Sequence, residues 1–185
     1  MKKLTLVFLV LALAVSAEER PAAKYFGGIT LVDQNGRSID LYKDLMADHT
    51  VVINSFFASC AGGCPVMSHT LAAAQTKFAE RMGKELVIIS ISVDPATDTP
   101  ARLRQYAKQV GAKDGWYFLT GTKEQVDFAL KKLGQATAVR EDHMNIFIVG
   151  NERTGLWKKG FALAKPEEIA ELVRTVLDDG KTDSR

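Results

Sequence analysis

Two stretches of this chain carry almost unbroken apolar and β-branched residues, TVVINSFFA at 50–58 and LVIISISV at 86–93. That is the pattern of strands buried on both faces. Shorter runs of the same kind, WYFLT at 116–120, NIFIVG at 145–150 and GLWKKGF at 155–161, predict three more strands. Between them the apolar positions switch to helical spacing. Met67, Leu71, Ala74, Phe78 and Met82 predict a helix that stops at Gly83. Leu103, Tyr106, Ala107 and Val110 predict another, opened by Thr99-Pro100 and ended at Gly111. Thr122 and Gln125 form a capping box for a third helix with Val126, Ala129, Leu130 and Leu133 inward, closed by Gly134. A last helix starts at Pro166 and buries Ile169, Leu172, Val173, Val176 and Leu177. Ahead of all these, GITLVDQNGRSIDLY reads as two short strands around a turn at Asn35-Gly36, expected to precede the main sheet. Strands alternating with helices imply a parallel core with right-handed crossovers. The expected architecture is a thioredoxin-like α/β fold with an N-terminal β-hairpin extension, in one domain over 28–178.

The first 17 residues, MKKLTLVFLVLALAVSA, have the form of a signal peptide: Lys2 and Lys3, an apolar run, then the small-residue site Val15-Ser16-Ala17. A membrane-spanning helix needs about 20 apolar residues, and this run is shorter. Residues 18–27 read as a short lead-in and 179–185 as a charged tail. The expectation is an extracytoplasmic, periplasmic monomer, in a compartment where thiols can be oxidised. The 24 basic residues, less Lys2 and Lys3, balance the 22 acidic ones, which argues against nucleic acid as a partner.

The chain has two cysteines, Cys60 and Cys64, in FFASCAGGCPVMSH, between a predicted strand and a predicted helix. Two cysteines are too few to explain the stability of 185 residues, so a merely structural bridge is the weakest reading. Proline suits the first turn of a helix, so the helix is expected to begin at Pro65. Cys64 at its mouth should then have a lowered pKa, favouring nucleophilic chemistry or metal binding. Ala61, Gly62 and Gly63 allow the two sulfurs to converge. C-x-x-x-C alone does not separate a disulfide from a metal site.

A thioredoxin-type reductase presents a proline in the loop facing its cysteines, just before the strand of the closing hairpin. Here that place reads REDHMNIFIVG, with His143 and no proline between Pro100 and Pro166. Two soft sulfurs and an imidazole suit Cu(I), or Cu(II) where a further ligand joins. Zinc usually takes four ligands, and no fourth is evident. Asp142 is a candidate to orient His143, and Asp94, at the carboxyl end of a parallel strand, a candidate neighbour of the site. His69 and His49 read as ordinary polar positions. Met67 reads as core, and Met144 is a thioether next to His143.

At these residues the chain resembles the Sco/SenC family of copper-binding cytochrome c oxidase assembly proteins. The resemblance rests on the Cys60/Cys64-Pro65 motif, on ISVDPATDTP, on WYFLTGTKEQV and on EDHMNIFIVG, in that order. It implies copper held by Cys60, Cys64 and His143. It also implies delivery to a copper-accepting partner, a cytochrome c oxidase subunit, with a thiol reductant keeping the cysteines reduced. The alternative is a thiol–disulfide oxidoreductase acting through Cys60 and Cys64. Two departures stand out: Ala61 where many members carry proline, and the short segment GQATAVRED before the histidine.

Overall fold

A computed structural model describes residues 20–161 and 164–181; the leader expected at 1–17 and residues 182–185 of the tail lie outside the described residues. The predicted strands form at Thr50–Phe56 (β3), Leu86–Ser92 (β4), Trp116–Thr120 (β5), Ile146–Asn151 (β6) and Leu156–Phe161 (β7), preceded by β1 (Thr30–Asp33) and β2 (Ser38–Asp40). All seven belong to one sheet in the order β2-β1-β5-β4-β3-β6-β7. β3, β4 and β5 are parallel. The hairpin β6–β7 runs antiparallel beside β3. The early hairpin precedes the core strands in the chain and joins their sheet, where β1 pairs antiparallel with β5 and extends it.

β3 and β4 are buried along their whole length because helices cover both faces. On one side α2 (Gly63–Lys77), α3 (Pro100–Gln109) and α5 (Pro166–Leu177) bury Met67, Leu71, Leu103, Ile169 and Val173 against Val52, Phe56 and Ile88. On the other, α1 (Pro21–Phe26), α4 (Lys123–Lys132) and a π-helical turn at Leu41–Met46 pack Phe26, Leu45, Val126 and Ala129 against Val51, Ile53 and Ile89. The caps form as their residues predict: Thr99 accepts from the Arg102 N–H. Thr122 and Gln125 complete their capping box. The strand expected through Tyr42 stops at Asp40, whose side chain accepts from the Lys43 N–H and turns the chain into the π-helical turn. Among the described residues no helix is long and apolar enough to cross a membrane.

One buried carboxylate ties the cysteine segment to this frame. Asp98 accepts from the Ala58 N–H at 3.0 Å and from the Ser92 hydroxyl at 2.6 Å. The exit of β3 and the end of β4 are thereby joined two residues before Cys60.

Candidate metal centre

Past Phe56 the chain runs through a short loop, in which the Cys60 N–H donates to the Phe57 carbonyl at 3.1 Å, and enters α2. The helix starts at Gly63, not at Pro65, so Cys64 lies inside its first turn rather than at its mouth. That depth corrects the expected chemistry. Cys64 is 1 % exposed, and burial, with a smaller contribution from the neighbouring Cys60 thiol, pushes its pKa up to about 12 instead of down. Removing water from a thiolate costs more here than the helix N-terminus returns. Cys60 is the more open of the pair, and both are free thiols.

His143 follows a short 3₁₀ turn at Arg140–Asp142, just before β6. Its ring is buried, and Nε2 lies 3.2 Å from the Cys64 sulfur. The ligand atoms of Cys60, Cys64 and His143 all lie within 4.8 Å of one another. Burial holds the imidazole below its ordinary pKa, which favours the neutral, metal-binding form.

The other sequence candidates are placed differently. Asp142 is exposed, and the buried Nδ1 of His143 has no hydrogen-bond partner among the described residues, so Asp142 does not orient the ring. Asp94 does not touch His143; it pairs with Arg140 at 2.6 Å. Burial raises the Asp94 carboxyl, but its bonds to Arg140 and Thr97 outweigh this and leave its pKa lowered. The Arg140 guanidinium lies over the Phe57 ring at 5.2 Å, and the same ring meets His143 edge-on at 5.5 Å. Asp94, Arg140 and Phe57 thus brace the turn that carries the histidine. Arg140 gave no local signal, because its partner lies 46 residues away. Phe57 read as the tail of a strand. His69 is exposed, His49 is half-buried at the start of β3, Met67 is fully buried in the core, and Met144 is exposed beside His143.

The sequence profile of the SCO1/SenC family matches residues 17–177. The protein SenC of Rhodobacter capsulatus is 29 % identical over 165 residues, covering 85 % of this chain and 72 % of SenC. Among solved structures, Arabidopsis thaliana ScoI with copper bound superposes with a TM-score of 0.68 at 23 % identity, over 82 % of this chain and 98 % of that one. BsSco belongs to the Sco family of cytochrome c oxidase assembly proteins, and a disulfide switch has been identified in it. It superposes at 0.66 with 24 % identity, over 80 % of this chain and 90 % of that one. At such identities the structures speak for the fold, which is thioredoxin-like.

Proposed function

Because the chain belongs to the SCO1/SenC family, we propose that it binds copper through Cys60, Cys64 and His143 and passes it to an assembling cytochrome c oxidase, the process named for its relative BsSco. The single observation that carries this reading is the convergence of two thiol sulfurs and one imidazole nitrogen within 4.8 Å. Two thiolates and one imidazole are a soft, low-coordinate set that suits Cu(I) better than zinc. The half-exposed Cys60 is where an acceptor's ligand enters, while Cys64 and His143 hold the metal from behind. Copper is the cargo and is exchanged ligand by ligand. Binding requires both cysteines reduced, which makes a thiol reductant a second partner. The reading includes an extracytoplasmic site of action and a cytochrome c oxidase subunit as the acceptor.

The test is titration of the reduced protein with Cu(I) against a competing chelator, in parallel with His143→Ala. One copper per chain is expected, with the variant weakened by more than about tenfold, since even groups that merely orient ligands cost that much. Equal binding by the variant, or no tight binding by the parent, overturns the reading.

One observation favours a second reading, thiol–disulfide exchange. An open Cys60 in front of a buried Cys64 is the arrangement of an attacking and a resolving thiol. The Cys60 thiolate would attack a partner disulfide and release one partner thiol. Cys64, losing its proton, would then displace the second and leave a Cys60–Cys64 disulfide. His143→Ala separates the two readings, because exchange does not require the imidazole.

A further inference from the structure

The Cys64–His143 approach is not set by the sheet. The β3–β6 ladder pairs Thr50 with Asn151 and ends at Ile53 with Ile148, so four residues lie between its last rung and His143. Beyond that rung, side chains must decide how closely the histidine segment comes to the cysteine turn.

One close approach between the two segments lies beside the two ligands. Gly63 immediately precedes Cys64, and Asn145 stands two residues after His143. A Cβ placed on Gly63 would sit 2.5 Å from the Asn145 Oδ1, 3.0 Å from its Cγ and 3.1 Å from its Nδ2. The amide is therefore seated on the bare Cα of Gly63. Its Oδ1 is shielded from solvent and makes no hydrogen bond among the described residues, so polar attraction does not hold it there. Nor does the backbone require glycine: Gly63 is the first residue of α2, and it is absent from the glycines with positive φ. At Gly62, by contrast, an added Cβ would meet only the Cys60 sulfur, at an ordinary 4.0 Å. A side chain at 63 therefore fits only if the Asn145 amide gives way.

We propose that the Asn145 amide resting on Gly63 is a spacer that sets the distance between the Cys64 sulfur and the His143 imidazole, making both residues positioning residues of the copper site. The two contacts are adjacent and link the same two segments, so one cannot change without the other. A methyl group at 63 pushes Asn145 away and carries His143 off Cys64. Loss of the amide lets the segments settle closer. Moving the bulk from 145 to 63 restores the spacing.

The proposal rests on the copper reading for its consequence but not for its geometry, so the test reads both. Gly63→Ala, Asn145→Ala and the double variant are compared with the parent by chelator-competed Cu(I) affinity. The nitrogen and ring-proton NMR signals of His143 are recorded in the metal-free protein. Touching residues couple measurably, so Gly63→Ala should weaken copper by about tenfold and shift the His143 signals, and the double variant should recover most of both. A double variant no better than Gly63→Ala overturns the proposal, as does a Gly63→Ala protein with the parent's His143 signals. If the parent binds no copper, the copper reading fails, and the His143 signals still decide the spacer. Should Gly63→Ala not fold, Asn145→Ala decides alone: unchanged His143 signals overturn the proposal.

Discussion

At the scale of the residue, the consequential feature is that Cys64 is buried. Its thiol, held near 12 mainly by desolvation, is fully protonated at neutral pH, and a metal bound there must displace that proton. Apparent copper affinity should therefore rise by at least about tenfold per pH unit from pH 7 to 9. His143 adds no slope in this range, because burial keeps its pKa below the ordinary histidine value. The stability effects have opposite signs. Cys64, with a raised pKa, contributes stability that is complete below the ordinary thiol value and lost as pH climbs toward 12. His143, with a lowered pKa, contributes stability present above its ordinary value and lost as pH falls through the lowered one. Chelator competition across a pH series measures the affinity; a flat profile would mean that copper displaces no proton from Cys64, either because the thiol is already ionised or because it is not a ligand.

At the scale of the element, β6 and β7 owe their fit to another missing side chain. Gly150 pairs with Trp157, whose indole lies so close that an added Cβ would overlap its ring carbons. Trp157 in turn packs on Phe26 of α1, with ring centroids 5.8 Å apart. Gly150→Ala must displace this indole and is expected to cost about 1–3 kcal/mol, the usual range for overpacking. Urea denaturation checks it, and an unchanged midpoint would show that the indole moves freely. Contacts of this kind explain which parts of the molecule were legible in the sequence. β3 and β4 announced themselves by apolar runs, α3 and α4 by Thr99 and by the Thr122–Gln125 box, because those signals are local. The gathering of Cys60, Cys64 and His143 was legible from the order strand, cysteines, helix, closing hairpin. The π-helical turn was not, since six residues are too few for a period to show. The seat of the hairpin against β5 was not either, because strand order is decided by tertiary packing. The start of α2 two residues before Pro65 was not legible, nor was the burial of Cys64, a product of tertiary packing, which reverses the expected sign of its pKa shift.

At the scale of the whole molecule, the two ends of the sheet are built for different tasks. The cysteines follow the carboxyl end of β3; its other end is closed by Glu152. The Glu152 carboxylate is buried and accepts from the Tyr42 hydroxyl at 2.8 Å, from the Asp48 N–H at 3.2 Å and from the Arg20 guanidinium. Arg20 also reaches Asp48 at 2.8 Å, so the first described residue is fastened to this end. Seven strand residues separate the clasp from the cysteine loop, about 20 Å at 3.3 Å per residue. Packing that covers β3 on both faces makes the strand between them a rigid spacer rather than a lever. Glu152→Gln keeps the volume but removes the charge and turns one acceptor into a donor facing other donors, which should cost about 1–3 kcal/mol. For a chain of this size that is a fall in Tm of roughly 2–4 °C per kcal/mol. Tyr42 offers an internal check. Its phenol is raised to about 12 by burial first and by Glu152 second, so in the variant it should titrate at lower pH while staying above the ordinary tyrosine value. Copper affinity should stay within experimental error of the parent. Loss of copper binding in step with stability would show that the clasp and the metal centre form one cooperative unit, and that the clasp helps to hold the ligands in place.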